Sequence, residues 1–173
     1  MFSKMNIYLV GFMGTGKTSV GRQLAKQKKW NFVDLDELIE LQQQRRIVDI
    51  FAQDGEPYFR KVEKKVLKQV SSQKKFVVAC GGGVVLDSGN IKLMKKTGIL
   101  ICLCATCEAI LKRVSASSSR PILNVAKPRE RIELLLKMRA PYYMQADESI
   151  DTSRLTIKQV ANRISKILAK TKR

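Results

Sequence analysis

The chain has no histidine in 173 residues. That removes the commonest general base, the commonest zinc ligand and the side chain that senses near-neutral pH. The dipeptide Asn-Lys does not occur either, so the N-K-x-D motif by which GTP-binding switches select guanine is missing. Aromatic residues make up only 6% of the chain, with a single Trp. No basic stretch is interleaved with rings that could stack on bases. No apolar run approaches the ~20 residues of a membrane span. Acidic residues are scarce, 15 against 33 Lys and Arg, which leaves a formal net charge of +18. The lysines are scattered in pairs (Lys28-Lys29, Lys64-Lys65, Lys74-Lys75, Lys95-Lys96) on helix flanks and in loops. A solvated basic surface fits that scatter better than a nucleic-acid stripe, and filter binding at moderate salt separates the two.

Cysteine is sparse as well. Cys102, Cys104 and Cys107 give C-x-C-x-x-C, yet no second half-site exists to complete a zinc tetrahedron. Cys102 and Cys104 fall in the apolar run from Ile99, so buried, reduced cysteine is the expectation, for Cys80 too. Met1-Phe2-Ser3-Lys4-Met5 leads straight into the first apolar run, leaving no room for a signal or transit peptide. The sequence therefore reads as a cytoplasmic protein. Its length predicts one domain, residues 1–173, and a 45% hydrophobic fraction is ordinary for such a domain.

Gly11-Phe12-Met13-Gly14-Thr15-Gly16-Lys17-Thr18 fills every fixed position of G-x-x-x-x-G-K-[ST]. The glycines let the backbone curl its N–H groups around an anion, Lys17 reaches the terminal phosphates, and the Thr18 hydroxyl serves Mg²⁺. A buried strand, Ile7 to Val10, precedes this loop, and a helix from Thr18 to Lys29 follows. Strand, glycine loop and helix N-terminus are what a phosphate site needs, and together they predict nucleoside triphosphate binding.

Apolar runs then alternate with helical patterns, the signature of βαβ units and a parallel sheet. Asn31 to Val33 reads as a second strand, with a helix through Leu38 and Ile39. Ile47 to Phe51 reads as a short helical piece, and Asp54-Gly55-Glu56-Pro57 as the capped start of a helix carrying Phe59, Val62, Val66 and Val70. Phe76 to Cys80 and Gly98 to Cys104 read as strands. Thr106 to Val114 and Arg129 to Arg139 read as helices, and Ser115 to Ser119 as a mobile low-complexity stretch. The last helix opens on a Thr156/Gln159 capping box, with Ile157, Val160, Ile164 and Ile167 as its stripe.

Three features gather at the carboxyl ends of the strands, where open α/β sheets bind ligands. They are the phosphate loop, Asp34/Asp36, and Gly81-Gly82-Gly83. In an extended segment Asp34 and Asp36 would face the same side, one for a metal and one for an acceptor hydroxyl. The competing reading of such a pair is a helix cap. Three glycines after a buried strand suit close backbone approach to a ligand.

The set G-F-M-G-T-G-K-T, D-L-D, F-R-K-V-E, G-G-G, R-P and R-A-P-Y, spread from about Ile7 to Thr152, resembles the shikimate kinase family. The resemblance implies a three-layer α/β/α sandwich with a parallel sheet, of the nucleoside-monophosphate-kinase-like P-loop type, with a mobile lid at roughly residues 114–127. It implies Mg²⁺-dependent transfer of the γ-phosphoryl group of ATP to the 3-hydroxyl of shikimate, on the route to chorismate and the aromatic amino acids. Lys17 would neutralise β/γ-phosphate charge, with Gly14, Thr15, Gly16, Thr18 and Ser19 around the phosphates. Thr18 and Asp34 would hold the metal, Asp34 through water. Asp36 would bind shikimate hydroxyls as the candidate base, Arg60 and Arg139 would grip the carboxylate, and Glu63 would orient Arg60 and meet a hydroxyl. Gly81, Gly82 and Gly83 would contact the ring, with Phe51 and Phe59 as walls. Arg120 would swing in with the lid, Arg113 would lie against adenine, and Arg154 would stand near the nucleotide. Cys80 departs from the serine or threonine usual before the three glycines. The partners implied are ATP and shikimate alone, with no nucleic acid, no membrane and a monomeric chain. A gluconate-type or nucleoside monophosphate kinase is the neighbouring alternative, and two arginines aimed at one carboxylate favour a polyhydroxylated acid.

Overall fold

The computed structural model describes residues 5–115 and 126–170. Five parallel strands form one sheet: β1 (Asn6–Val10), β2 (Asn31–Asp34), β3 (Phe76–Ala79), β4 (Gly98–Cys104) and β5 (Glu148–Asp151). Their order is β2-β3-β1-β4-β5. Seven helices are described: α1 (Lys17–Lys28), α2 (Leu35–Gln43), α3 (Ile47–Ser71), α4 (Ser88–Thr97), α5 (Cys107–Ser115), α6 (Pro128–Tyr143) and α7 (Ile157–Lys170).

Both faces of the central strands are covered, which is why β1, β3 and β4 read as unbroken apolar runs. Side chains alternate between two cores. Tyr8, Val10, Val78, Leu100 and Cys102 pack under α2 to α6, while Ile7, Leu9, Val77, Ile99, Ile101 and Leu103 pack against α1 and α7. Ile7 pairs with Val77 on one side and Ile99 on the other, so the register keeps like faces together. The three-layer α/β/α expectation holds.

Two elements escaped the sequence reading. β5 is an edge strand with one buried side chain, Ile150, so it carries no apolar run. In α4 a glycine and three lysines dilute the periodicity. The helix is set by Asp87, whose side chain accepts from the N–H groups of Gly89 (2.7 Å) and Asn90 (3.3 Å), and by buried Ile91 and Met94. The two helical pieces read on either side of Asp54 form one element, α3, kinked where Gly55 takes φ 80°, ψ 173°.

Two smaller expectations need correction. Cys104 is exposed, because it is the last residue of β4 and lies beyond the covered part of the sheet. Cys80 and Cys102 are buried as expected. On α7 the buried stripe is Val160, Ala161, Ile164 and Leu168. Ile157, in the first turn, is 48% exposed at the cavity described below. The capping box is present: Thr156 N–H donates to Gln159 Oε1 (2.8 Å), and Gln159 N–H to Thr156 Oγ1 (3.3 Å). Among the described residues no helix is long and apolar enough to cross a membrane.

Candidate active site

The carboxyl ends of β1, β2 and β3 open onto one cavity of about 930 Å³. The phosphate loop between β1 and α1 forms one wall. Gly11, Gly14 and Gly16 hold φ of 136°, 75° and 95°, which side-chain-bearing residues rarely adopt. Lys17 folds back over the loop, its Nζ donating to Gly11 O (2.8 Å) and Phe12 O (2.9 Å). Thr15 Oγ1 closes the same turn on Phe12 O (2.7 Å). Thr18 and Ser19, in the first turn of α1, also line the cavity.

Asp34 and Asp36 both reach this wall, but not as one extended segment. Asp34 ends β2 and α2 starts at once, so Asp36 lies in the first helical turn. Asp34 is a helix cap, the competing reading of the pair. Its Oδ1 caps α2, accepting from the N–H groups of Asp36 (3.0 Å) and Glu37 (3.4 Å), and its Oδ2 accepts from Thr18 Oγ1 (2.7 Å). Asp36 lies deeper. Burial, followed by the neighbouring charges of Asp34 and Glu63, pushes its carboxyl up to about 6, against the opposing pull of Lys17.

The second wall combines α3, α6 and the three glycines. Arg60 Nη1 donates to Glu63 Oε2 (2.8 Å). This is no ordinary surface pair, because Glu63 is 1% exposed and burial pushes its carboxyl up. Its other oxygen, Oε1, has no hydrogen-bond partner among the described residues. A Cβ on Gly81 would lie 2.7 Å from Asp36 Oδ1 and 3.0 Å from Glu63 Oε1. One on Gly83 would fall against the Arg60 guanidinium, and one on Gly82 3.6 Å from Arg139 Nη1. The glycines thus give up side-chain volume so that two carboxylates and two guanidiniums can converge over bare backbone. Arg139 also rests on the Phe12 ring, 5.6 Å from its centroid. Phe59 lines the cavity. Phe51 is not among the lining residues and stacks on Phe59, with centroids 4.7 Å apart.

Cys80 lines the floor, its Sγ 3.9 Å from both Val78 O and Met94 Sδ, and burial pushes its thiol well up. Arg113 lies beside the glycine loop, bonded to Gly14 and Thr152. Arg154 is exposed and not among the lining residues, which on that stretch are Thr152, Leu155, Thr156 and Ile157. Arg120 and most of the expected lid fall outside the described residues.

Sequence reasoning missed three polar neighbours. Glu56 Oε1 accepts from Arg60 Nε (3.1 Å) and Nη2 (2.9 Å), and Tyr143 OH donates to Gly82 O (2.7 Å). Both were within reach of the pattern, since Glu56 lies four residues before Arg60 and Tyr143 four after Arg139. Thr152, 2% exposed just past the unread β5, gave no such signal. Among the described residues no group of three or more His, Cys, Asp or Glu could hold a metal. Thr18 Oγ1 and Asp34 Oδ2, 2.7 Å apart, are two hard oxygen donors beside the loop.

A sequence model of the shikimate kinase family matches residues 13–169. A shikimate kinase of Thermodesulfovibrio yellowstonii is 47% identical over 161 residues, 93% of each chain. One from Thermoanaerobacter pseudethanolicus is 43% identical, covering 97% of this chain and 98% of its own. Among solved structures, the shikimate kinase of Acinetobacter baumannii in complex with shikimate superposes with a TM-score of 0.93 at 37% identity, covering 99% of this chain and 96% of the other.

Proposed function

The chain belongs to the shikimate kinase family, and from that premise we propose how its residues share the transfer of the γ-phosphoryl group of ATP to the 3-hydroxyl of shikimate. The observation that carries the assignment is the flanking of Gly82 and Gly83 by the guanidiniums of Arg139 and Arg60, in the cavity that also holds the phosphate loop. Two cations over bare backbone suit an acceptor with a carboxylate at one end and hydroxyls at the other.

Arg60 and Arg139 hold the carboxylate of shikimate. The orphaned Glu63 Oε1 accepts from a ring hydroxyl, and its Oε2 keeps Arg60 in place. Asp36 accepts a hydrogen bond from the hydroxyl to be phosphorylated, which turns an oxygen lone pair towards the γ-phosphorus. As the new O–P bond forms and the bond from γ-phosphorus to the β–γ bridging oxygen breaks, the hydroxyl proton passes to Asp36. A carboxyl at about 6 stays ionised at neutral pH yet is basic enough to receive that proton. Phosphoryl transfer asks above all for position and charge stabilisation. The loop N–H groups, the α1 N-terminus and Lys17 supply these to the departing ADP. Thr18 and Asp34 fit Mg²⁺, which when bound would neutralise charge on the phosphate oxygens. The chain works as one domain and as a monomer in the cytoplasm, on ATP and shikimate as its partners.

Arg139→Ala tests the clamp. The Kd for shikimate is expected to rise at least about tenfold, the worth of a charged hydrogen bond, with the Kd for ATP nearly unchanged. Separate titrations with the two substrates decide it, and an unchanged shikimate Kd refutes the carboxylate assignment.

A further inference from the structure

The phosphate loop raises a question of backbone geometry that its own residues only half answer. An anion nest needs consecutive N–H groups aimed at one point. In a trans peptide the carbonyl points opposite to the N–H that follows it, so each such carbonyl must be held elsewhere. Lys17 takes those of Gly11 and Phe12, and the Val20 N–H takes that of Gly16 (2.9 Å). The carbonyls of Gly14 and Thr15 are taken from outside the loop and its helix. Arg113 Nη1, on α5, donates to Gly14 O (3.1 Å), and Thr152 Oγ1, just past β5, lies 3.0 Å from Thr15 O.

These two donors form one unit. Arg113 Nη1 also donates to Thr152 Oγ1 (3.0 Å), and Arg113 Nη2 to Thr152 O (2.6 Å). Having accepted from Arg113, the threonine hydroxyl has one proton to give. Its possible acceptors are Thr15 O and Cys104 O, the latter 3.1 Å away. Cys104 O already receives the Thr152 backbone N–H at 2.8 Å, which leaves Thr15 O as the better recipient. The whole arrangement is packed, with Thr152 2% and Thr15 1% exposed. A Cβ on Gly14 would come within 3.0 Å of the Val114 side chain, so α5 presses directly on the loop.

We propose that Arg113 and Thr152 are positioning residues for the phosphate loop, fixing the Gly14–Thr15 and Thr15–Gly16 peptides so that the N–H groups of Thr15 and Gly16 face the nucleotide phosphates. The resemblance gives Arg113 a place against adenine and gives Thr152 nothing. The brace assigns both to the phosphate end of the nucleotide. It rests on the phosphate-loop reading, and the comparison of nucleotides below tests the two separately.

Thr152→Val removes the hydroxyl and keeps the shape. ADP, titrated calorimetrically, is expected to bind about tenfold more weakly, the cost of one buried hydrogen bond, while AMP, measured by competition, stays within about twofold. Thr152→Ser should restore ADP binding, and shikimate binding without nucleotide should not change in either variant. Arg113→Lys keeps the charge but loses the fork that spans Gly14 O and Thr152, so it should reproduce the ADP-selective loss. It decides the matter alone if Thr152→Val does not fold. Equal losses for AMP and ADP would place the pair at the adenine and overturn the proposal, as would undiminished ADP binding or failure of the serine variant to rescue. A parent enzyme that binds ADP no better than AMP would remove the phosphate-loop premise itself.

Discussion

Lys17→Ala is expected to lower kcat by about 10³-fold or more, the scale set by removing a fixed cationic donor from a developing oxyanion. On the proposed function the ammonium would stand where charge builds on the β–γ bridging oxygen. In the structure it is held over the loop by Gly11 O and Phe12 O, so it is in place before the nucleotide arrives. Those two bonds tie the ammonium to the folded loop. Their loss should cost about 2 kcal/mol or more, a fall of at least about 4 °C in Tm for a chain of this size. Asp34→Ala should match the loss of turnover and cost more stability, because Asp34 also caps α2. ADP release by the purified variants, beside their thermal melts, checks both. Turnover near the parent rate in either would contradict the assignment of the phosphate site.

Asp36→Asn is expected to separate activity from stability in opposite directions. Its carboxyl, raised to about 6 by burial and by Asp34 and Glu63, holds its proton more tightly in the folded chain than in the unfolded one. The folded state is therefore favoured below the folded value, and stability declines as pH rises through it, because ionising a buried group beside two carboxylates is costly. Above pH of about 6 the parent carries that cost in full, and the neutral amide does not. The variant should accordingly be more stable than the parent at pH 8, by on the order of 3 kcal/mol, and show no advantage near pH 4. Turnover should nevertheless fall by about 10²–10⁴-fold, since the amide cannot take the hydroxyl proton. In the parent, kcat/KM should decline as pH drops through about 6 and Asp36 protonates. Denaturant melts at the two pH values and a pH–rate profile read these effects. A variant with no pH-dependent gain in stability, or with parental turnover, would contradict the placing of Asp36.

The parts of the site legible in the sequence are those fixed by local spacing. The phosphate loop has one backbone solution for its glycines, and Arg60 and Glu63 meet because they lie one helical turn apart. The three glycines were legible as a place of close approach, though not as the gap into which Asp36, Glu63, Arg60 and Arg139 converge. What stayed hidden depends on pairings between distant segments. β5 is held at the edge by its backbone ladder to β4 and carries one buried side chain, so no periodicity announced it. With it went Thr152 and its hydrogen bonds with Arg113. Asp36 lines the cavity, but by a different local path from the extended one. The pair was read as an extended strand end, whereas the Asp34 cap starts α2 immediately and turns Asp36 inward on the first helical turn.

The central claim is tested most directly by a coupled assay of ADP release with and without shikimate. The account predicts little ADP from ATP alone and a saturable rise with shikimate, each ADP matched by one phosphate ester on the acceptor. Neither gluconate nor a nucleoside monophosphate should substitute. ADP release that does not depend on shikimate, or faster turnover with one of those alternatives, would contradict it.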